Sequence, residues 1–155
     1  MGNIDDRIAK LGITLPDAQS PVANYVPSVR TGNLIYLSGL GPANRPDGSV
    51  PNGKLGQDLN TEQGYEAAIR CALSITAQAK KILNDDLSKI KCCVKLTGFV
   101  NSIDSFTEQP KVINGASDTI VKIFGNNGMH TRAAVSSNSL PLGVAVEVDC
   151  IFELN

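Results

Sequence analysis

The sequence has few of the residues that metal sites and nucleic-acid interfaces need. Its 155 positions contain no tryptophan, 5% aromatic residues and a single histidine, His130. One histidine excludes a multi-histidine metal centre within one chain. The 14 Lys and Arg residues are balanced by 15 Asp and Glu residues, and they form no basic cluster. We therefore expect neither a bound metal nor a large nucleic-acid interface.

Cysteine usage and the length of apolar runs indicate the class of protein. The four cysteines include no C-x-x-C pair, which argues against a zinc site or a disulfide framework and favours free thiols in a reducing compartment. No apolar run reaches transmembrane length, and residues 1–7 lack the pattern of a secretory signal. With 42% hydrophobic and 19% charged residues, the sequence is typical of one compact cytoplasmic domain spanning residues 1–155. The cysteines are Cys71, Cys92, Cys93 and Cys150.

Two amphipathic segments predict the main helices. Asn60 caps the first, Gln63 completes a capping-box pattern, and apolar residues at helical spacing carry this helix to about Leu83. The second begins between Thr107 and Pro110 and ends at the Gly-Asn-Asn-Gly segment that follows its apolar stripe.

A run of apolar residues predicts a buried strand at 34–38, and apolar residues at alternate positions predict strands at 91–100 and 144–152. Residues 39–56 are rich in glycine and proline and predict a long loop or a hairpin excursion. The order of elements indicates an α+β fold in which two helices cover one face of a mixed sheet. On the strand at 91–100, we expect one face to carry Cys92, Val94, Leu96 and Val100.

Arg132 and Glu147 form the most informative pair near the C-terminus. A turn near Ser139 would fold residues 132–135 back onto the last strand as a hairpin and place Arg132 directly opposite Glu147. A guanidinium matches carboxylates and a glutamate handles protons, so this pair predicts a site for a small anion. A cross-strand ion pair of little energetic consequence is the alternative. His130 would share the face of Arg132, and a structural role is favoured for it over a catalytic one.

The face of the sheet that the helices leave open gives a second functional signal. The helices would cover the face that carries Val144, Val146 and Val148. Arg132 and Glu147 would then lie on the other face, among both apolar and charged neighbours. Such a face is a candidate subunit interface, which would put the site between subunits.

Six short motifs stand out for their order and spacing. They are Tyr25-Val26-Pro27, Gly32-Asn33-Leu34-Ile35-Tyr36-Leu37-Ser38-Gly39, Pro46-Asp47-Gly48-x-Val50-Pro51, Arg132-Ala133-Ala134-Val135, Leu140-Pro141 and Val146-Glu147-Val148. In this order they resemble the Rid family (reactive intermediate deaminases, also called the YjgF/YER057c/UK114 family). The resemblance runs from about Asn24 to Leu154, and the length is similar to a branch often labelled endoribonuclease L-PSP.

This resemblance implies a fold, an assembly and a chemistry. The fold is chorismate-mutase-like (bacillus type), and the subunits form a homotrimer with sites in the clefts between neighbours. Deaminating members hydrolyse enamines or imines such as 2-aminoacrylate to 2-keto acids and ammonia, without a cofactor. By position, Arg132 would pair with the substrate carboxylate and Glu147 would position or activate water. Tyr25, Ser38 and Asn114 match further pocket positions.

Departures from the family pattern and simpler roles leave alternatives open. Leu40 stands where deaminating members have glutamine, and Ala134 stands where many have a pocket cysteine. Ser38 could satisfy backbone groups, Tyr25 could pack at a rim and Asn114 could brace its helix. A second hypothesis is therefore a cleft that binds a small carboxylate without turnover. An endoribonuclease is less favoured, because the chain offers one histidine and no basic patch.

Overall fold

The computed structural model describes residues 4–20 and 23–155, so the first three positions of the N-terminal segment considered above lie outside the described residues. This part of the chain contains three α-helices and one sheet of five strands. The chain between the second strand and the second helix forms the long loop that the sequence predicts. In chain order, the elements are α1 (Ile4–Lys10), β1 (Ser28–Thr31), β2 (Leu34–Leu40), α2 (Thr61–Ile82), β3 (Ile90–Asn101), α3 (Gln109–Phe124), β4 (Thr131–Ser137) and β5 (Val146–Leu154).

Both long helices form where the sequence predicts them. At the start of α2, the Asn60 side chain accepts a hydrogen bond from the Gln63 amide, and the Gln63 side chain accepts one from the Asn60 amide, each at 2.9 Å. This reciprocal pair confirms the capping box. Helix α3 has Pro110 in its first turn, and Gly125 ends it at a φ of 64°. A positive φ of this size favours glycine, which explains the stop.

The five strands form one mixed sheet in the order β1-β2-β5-β3-β4. Strands β3 and β4 are parallel, whereas each other neighbouring pair is antiparallel. A parallel pair needs a crossover connection, and α3 supplies it. Helices α2 and α3 pack against each other and against one face of the sheet. The predicted α+β fold, with two helices on one face of a mixed sheet, is confirmed.

The predicted C-terminal hairpin is wrong. Strands β4 and β5 are not neighbours, because β3 lies between them, parallel to β4 and antiparallel to β5. The crossover through α3 places β4 at the edge of the sheet, although only a short connection separates it from β5 in sequence. As a result, Arg132 is in register with Leu96, and Glu147 is in register with Phe99.

Strand β3 also differs from its predicted alternation. Pairing irregularities in its first half, one of them between Cys93 and Lys95, shift which side chains face the helices. Cys93 is buried at 2% exposure and Cys92 is half-buried, so the face predicted for Cys92 and Val94 is wrong. Beyond these irregularities Leu96 faces the core as predicted.

The two faces of the sheet have different surroundings. Val146 and Val148 lie under the helices and are fully buried, as predicted. On the face that no helix covers, Val29, Tyr36 and Val135 are each at least 43% exposed. Glu147 and Asp149 lie on the same face, since they alternate with the buried valines of β5. The open face therefore carries both exposed apolar side chains and charged ones.

Candidate active site

Arg132 reaches from the edge strand β4 to the neighbouring helix. Its register partner Leu96 is buried beneath the helices, so Arg132 lies on the helix-covered face and not on the open face as predicted. Nη1 donates to Ser117 Oγ at 3.1 Å, and Nη2 donates to the carbonyl oxygen of Pro110 at 3.2 Å. Among the described residues, no carboxylate lies within ion-pairing distance of this guanidinium. Within this part of the chain the guanidinium is therefore a half-buried cation that forms no ion pair.

A groove of about 560 Å³ lies between α3 and the start of β4. Helix α3 contributes one of its faces, since residues three, four and seven positions apart lie on the same side of a helix. The predicted pocket residue Asn114 is among them and is exposed, so it and Arg132 line the same groove. The lining residues are Asn114, Ser117, Asp118, Val121, Lys122, Met129, His130 and Arg132.

His130 contacts the same helix as Arg132. Its Nε2 lies 2.9 Å from Ser117 Oγ, and its Nδ1 lies 2.6 Å from the carbonyl oxygen of Gly128. Because a carbonyl oxygen only accepts, Nδ1 carries the proton, and the neutral ring then has an unprotonated Nε2 that accepts from the Ser117 hydroxyl. The ring is held at both nitrogens, and Ser117 links it to Arg132.

Glu147 belongs to a different part of the molecule. On β5 it is in register with Phe99, which places its side chain on the open face as predicted. Its carboxylate lies against Gly39, where the pairing of β2 with β5 is irregular between Leu37 and Leu40. Partial burial, with a smaller contribution from the negative charge of Asp149, raises the pKa of the Glu147 carboxyl. This carboxyl therefore holds a proton more readily than an ordinary glutamate.

Ser38 and Tyr25 lie near the same irregularity in β2. The Ser38 hydroxyl donates to the carbonyl oxygen of Val26 at 2.8 Å, and the Ser38 amide donates to that of Pro27 at 3.0 Å. These bonds tie the segment containing Tyr25 to the end of β2, next to Gly39. Tyr25 itself is 50% exposed. The Ser38 hydroxyl thus satisfies a backbone group, and Tyr25 remains available at the surface.

The five predicted site residues consequently fall into two groups. Asn114 and Arg132 line the groove between α3 and β4, whereas Tyr25, Ser38 and Glu147 lie around the end of β2 and the start of β5. Strand β3 separates the strands that carry the two charged residues, and the alternation of side chains sends those residues to opposite faces. The prediction that Arg132 and Glu147 face each other within one chain is wrong.

The positions that depart from the family pattern lie in the core or against it. Leu40 is 8% exposed and in register with Val148, so it packs under the helices. Ala134 shares the face of Arg132 and packs against the edge of the core. Neither residue adds a polar group to the two clusters.

The described residues offer neither a metal site nor a membrane-spanning helix. In residues 4–20 and 23–155, no three His, Cys, Asp or Glu side chains are grouped so as to hold a metal ion. No helix within these residues has the length and apolar character to cross a membrane. The four cysteines are free thiols, as predicted, and three of them are buried.

Sequence reasoning did not identify Ser117 as a site residue. Its signal is its spacing, since it lies three positions after Asn114 on a predicted helix and therefore on the same helical face. The proximity of His130 to this face depends on the crossover that returns the chain from α3 to β4, and a local pattern does not reveal that crossover.

The chain matches known proteins over nearly its whole length. The family described as "YjgF/chorismate mutase-like, putative endoribonuclease" matches residues 5–154. Protein TCP17 of Trypanosoma cruzi is 45% identical over 155 residues, which cover 99% of this chain and 96% of that protein.

Two solved structures are similar in both sequence and fold. The protein Atu1372 of Agrobacterium tumefaciens, whose function is unknown, is 46% identical with a TM-score of 0.89, covering 98% of this chain and 92% of that chain. A Shewanella oneidensis protein that carries the same endoribonuclease description is 31% identical with a TM-score of 0.92, covering 99% of this chain and 100% of that one.

Proposed function

The chain belongs to the YjgF family, also called the Rid family, and from this premise we propose that it hydrolyses small 2-imino acids, or the enamines that form them, to 2-keto acids and ammonia. In this proposal Arg132 and Asn114 bind the substrate carboxylate, while Glu147 handles the protons of the attacking water. Ser38 and Tyr25 complete the pocket, and the reaction uses no cofactor.

The guanidinium of Arg132 is the observation that carries the proposal. It is half-buried at the wall of a groove and has no carboxylate partner among the described residues. Two of its N–H groups are used by Ser117 and Pro110, which leaves others for a ligand. Burying a charge without a partner is unfavourable, so the groove favours an anion that can accept from a planar fork. A carboxylate meets that requirement.

The state of Glu147 supports a role in proton transfer. Its raised pKa brings the carboxyl closer to the pH at which it can both accept and return a proton. The carbon of an imine is already electrophilic, so hydrolysis needs mainly an anchored substrate, a positioned water and proton-transfer groups. The two clusters of side chains offer these functions between them.

The separation of the two clusters supports a site built between subunits. Within one chain Arg132 and Glu147 point to opposite faces of the sheet, so they can act on one small molecule only if they come from different copies. The open face, with its exposed Val29, Tyr36 and Val135, offers apolar surface for such an assembly. We propose a homotrimer in which the groove of one subunit faces Glu147 of the next.

The test measures keto acid released from imines that an amino-acid oxidase generates in the same vessel. Wild-type protein should accelerate this release, and Arg132→Ala should abolish the acceleration and weaken the binding of pyruvate. Glu147→Gln should abolish turnover while leaving pyruvate binding intact. If pyruvate binds but no imine is hydrolysed faster, the protein is a carboxylate-binding protein. If Glu147→Gln retains full turnover, the proposed role of this residue is wrong.

An endoribonuclease activity is the function that the description of the Shewanella relative suggests. The balanced charge of the sequence gives it little support, since 14 basic and 15 acidic residues form no basic cluster. We expect no cleavage of single-stranded RNA by the preparation that hydrolyses imines.

A further inference from the structure

Ser117 and His130 form a hydrogen-bonded pair in the groove that the proposed roles of Arg132 and Glu147 leave unused. The pair continues from the guanidinium: Arg132 Nη1 donates to Ser117 Oγ at 3.1 Å, and Ser117 Oγ lies 2.9 Å from His130 Nε2. Both side chains are half-buried and line the same groove as Asn114. A hydroxyl and an imidazole at this distance, next to a cation that would bind substrate, meet the geometric requirement for proton transfer.

The backbone fixes the direction in which a proton can move. The carbonyl oxygen of Gly128 holds Nδ1 of His130 as the donor, so Nε2 is the basic nitrogen and faces Ser117. The Ser117 hydroxyl accepts from Arg132 and donates to His130, which leaves its oxygen one lone pair for a further hydrogen bond. A group that gives a proton to this oxygen can therefore pass the hydroxyl proton on to the imidazole.

We propose that Ser117 and His130 are the proton-accepting pair of this site, and that they remove the hydroxyl proton of the tetrahedral carbinolamine formed from a carboxylate-bearing imine. This inference rests on the proposed function, because it assigns a second proton-transfer group to the same reaction. It places the pair on the subunit that binds the carboxylate, whereas Glu147 comes from the neighbouring subunit.

The proposed hydrolysis proceeds through a carbinolamine. Water forms a C–O bond to C2 of the protonated imine, the C=N electron pair moves to nitrogen, and the water proton goes to Glu147. In the carbinolamine that results, Glu147 returns this proton to nitrogen and the C–N bond breaks to release ammonia. The hydroxyl proton passes to Ser117 Oγ while the Ser117 proton passes to His130 Nε2. The imidazolium finally gives its proton to ammonia, which leaves a keto acid, an ammonium ion and the starting protein.

The position of Ser117 suits this step. In a 2-imino acid, C2 is bonded directly to the carboxylate carbon. When Arg132 binds that carboxylate, the substituents on C2 therefore lie beside the groups that flank the guanidinium. Ser117 Oγ is one of those groups, because it accepts directly from Nη1. The other charged residues facing the groove are Asp118 and Lys122, and the Asp118 carboxylate accepts a hydrogen bond from the Tyr65 hydroxyl at 2.8 Å.

The test compares His130→Gln with wild type in the coupled imine assay and in pyruvate binding. If His130 had a purely structural role, its replacement would lower the rate and the pyruvate affinity together. We expect kcat to fall about 10²-fold, at the lower end of what general acid–base catalysis contributes, with KM and pyruvate affinity nearly unchanged. Added imidazole should partly restore His130→Ala.

Ser117 is tested by two variants and a matched control. Ser117→Thr keeps a hydroxyl and should retain most of the rate, whereas Ser117→Ala should lose it. Ser136→Ala removes a hydroxyl from the same edge strand as Arg132. Ser136 Oγ lies 2.6 Å from Ser102 Oγ and is not among the residues that line the groove. This control should keep the wild-type rate.

The outcomes separate this inference from the function on which it rests. If wild type hydrolyses no imine, both are wrong. If wild type is active and Arg132→Ala is not, but His130→Gln keeps the wild-type rate, the proposed function stands and the role of the pair is overturned. Parallel losses of pyruvate affinity and rate in His130→Gln would also overturn it, because they indicate that His130 only holds the groove in shape.

Discussion

Gly39 should control activity through the position of the Glu147 carboxylate. A Cβ added at Gly39 would lie 3.1 Å from Cδ of Glu147 and would overlap with its Oε1. To reach ordinary non-bonded distances the carboxylate would have to move by about 1 Å. Because the group that must move is the far end of a flexible side chain, Gly39→Ala should change the free energy of unfolding by less than about 1 kcal/mol.

The expected effect is on turnover, since a displacement of about 1 Å at a catalytic group can cost about 10²-fold in rate. We expect Gly39→Ala to lower kcat in the coupled imine assay by about that factor, with pyruvate affinity and melting temperature close to wild type. Gly41→Ala is the matched control, because the nearest atom to its added Cβ is a Val144 methyl at 3.8 Å, an ordinary contact. Wild-type turnover by a folded Gly39→Ala protein would refute the assignment of Glu147 to the reaction.

Three further predictions concern stability. Burial and Asp149 raise the pKa of the Glu147 carboxyl in the folded state, so the folded protein binds more protons here than the unfolded chain and loses stability as pH rises. Glu147→Gln should therefore have a higher melting temperature than wild type at pH 7. This difference should vanish towards about pH 4, where the carboxyl is protonated in both states. Gly115→Ala should lower the unfolding free energy by about 1–3 kcal/mol in urea titrations, because its Cβ would overlap with the backbone carbonyl oxygen of Tyr65 between α2 and α3. Asn60→Ala should cost about 0.5–2 kcal/mol by the same measurement through loss of the α2 cap, and an unchanged midpoint would contradict the capping assignment.

The helices and the composition of the faces of β5 could be read from the sequence because local interactions determine them. Asn60 and Gln63 cap α2 within three residues of each other, and the alternation through Val146 and Val148 follows directly from the geometry of a strand. The resemblance to the Rid family added the fold, which the comparisons confirm.

The pairing of strands could not be read in the same way. A short connection between two strands usually indicates a hairpin, but β4 pairs with β3, whose partner residues lie more than 30 positions earlier. That choice depends on α3 packing against the sheet and returning the chain parallel to β3. With β4 moved to the edge, Arg132 faces α3, and its contacts with Ser117 and His130 follow from long-range packing.

Mixing two inactive variants tests whether each active site combines the groove of one subunit with Glu147 of another. Arg132→Ala keeps Glu147, and Glu147→Gln keeps Arg132, so trimers assembled from both chains contain clefts in which both residues are intact. Random assembly of equal amounts should restore about a quarter of the wild-type imine hydrolysis. If trimers verified to contain both chains are no more active than the two variants alone, the active site is not shared between subunits in this way.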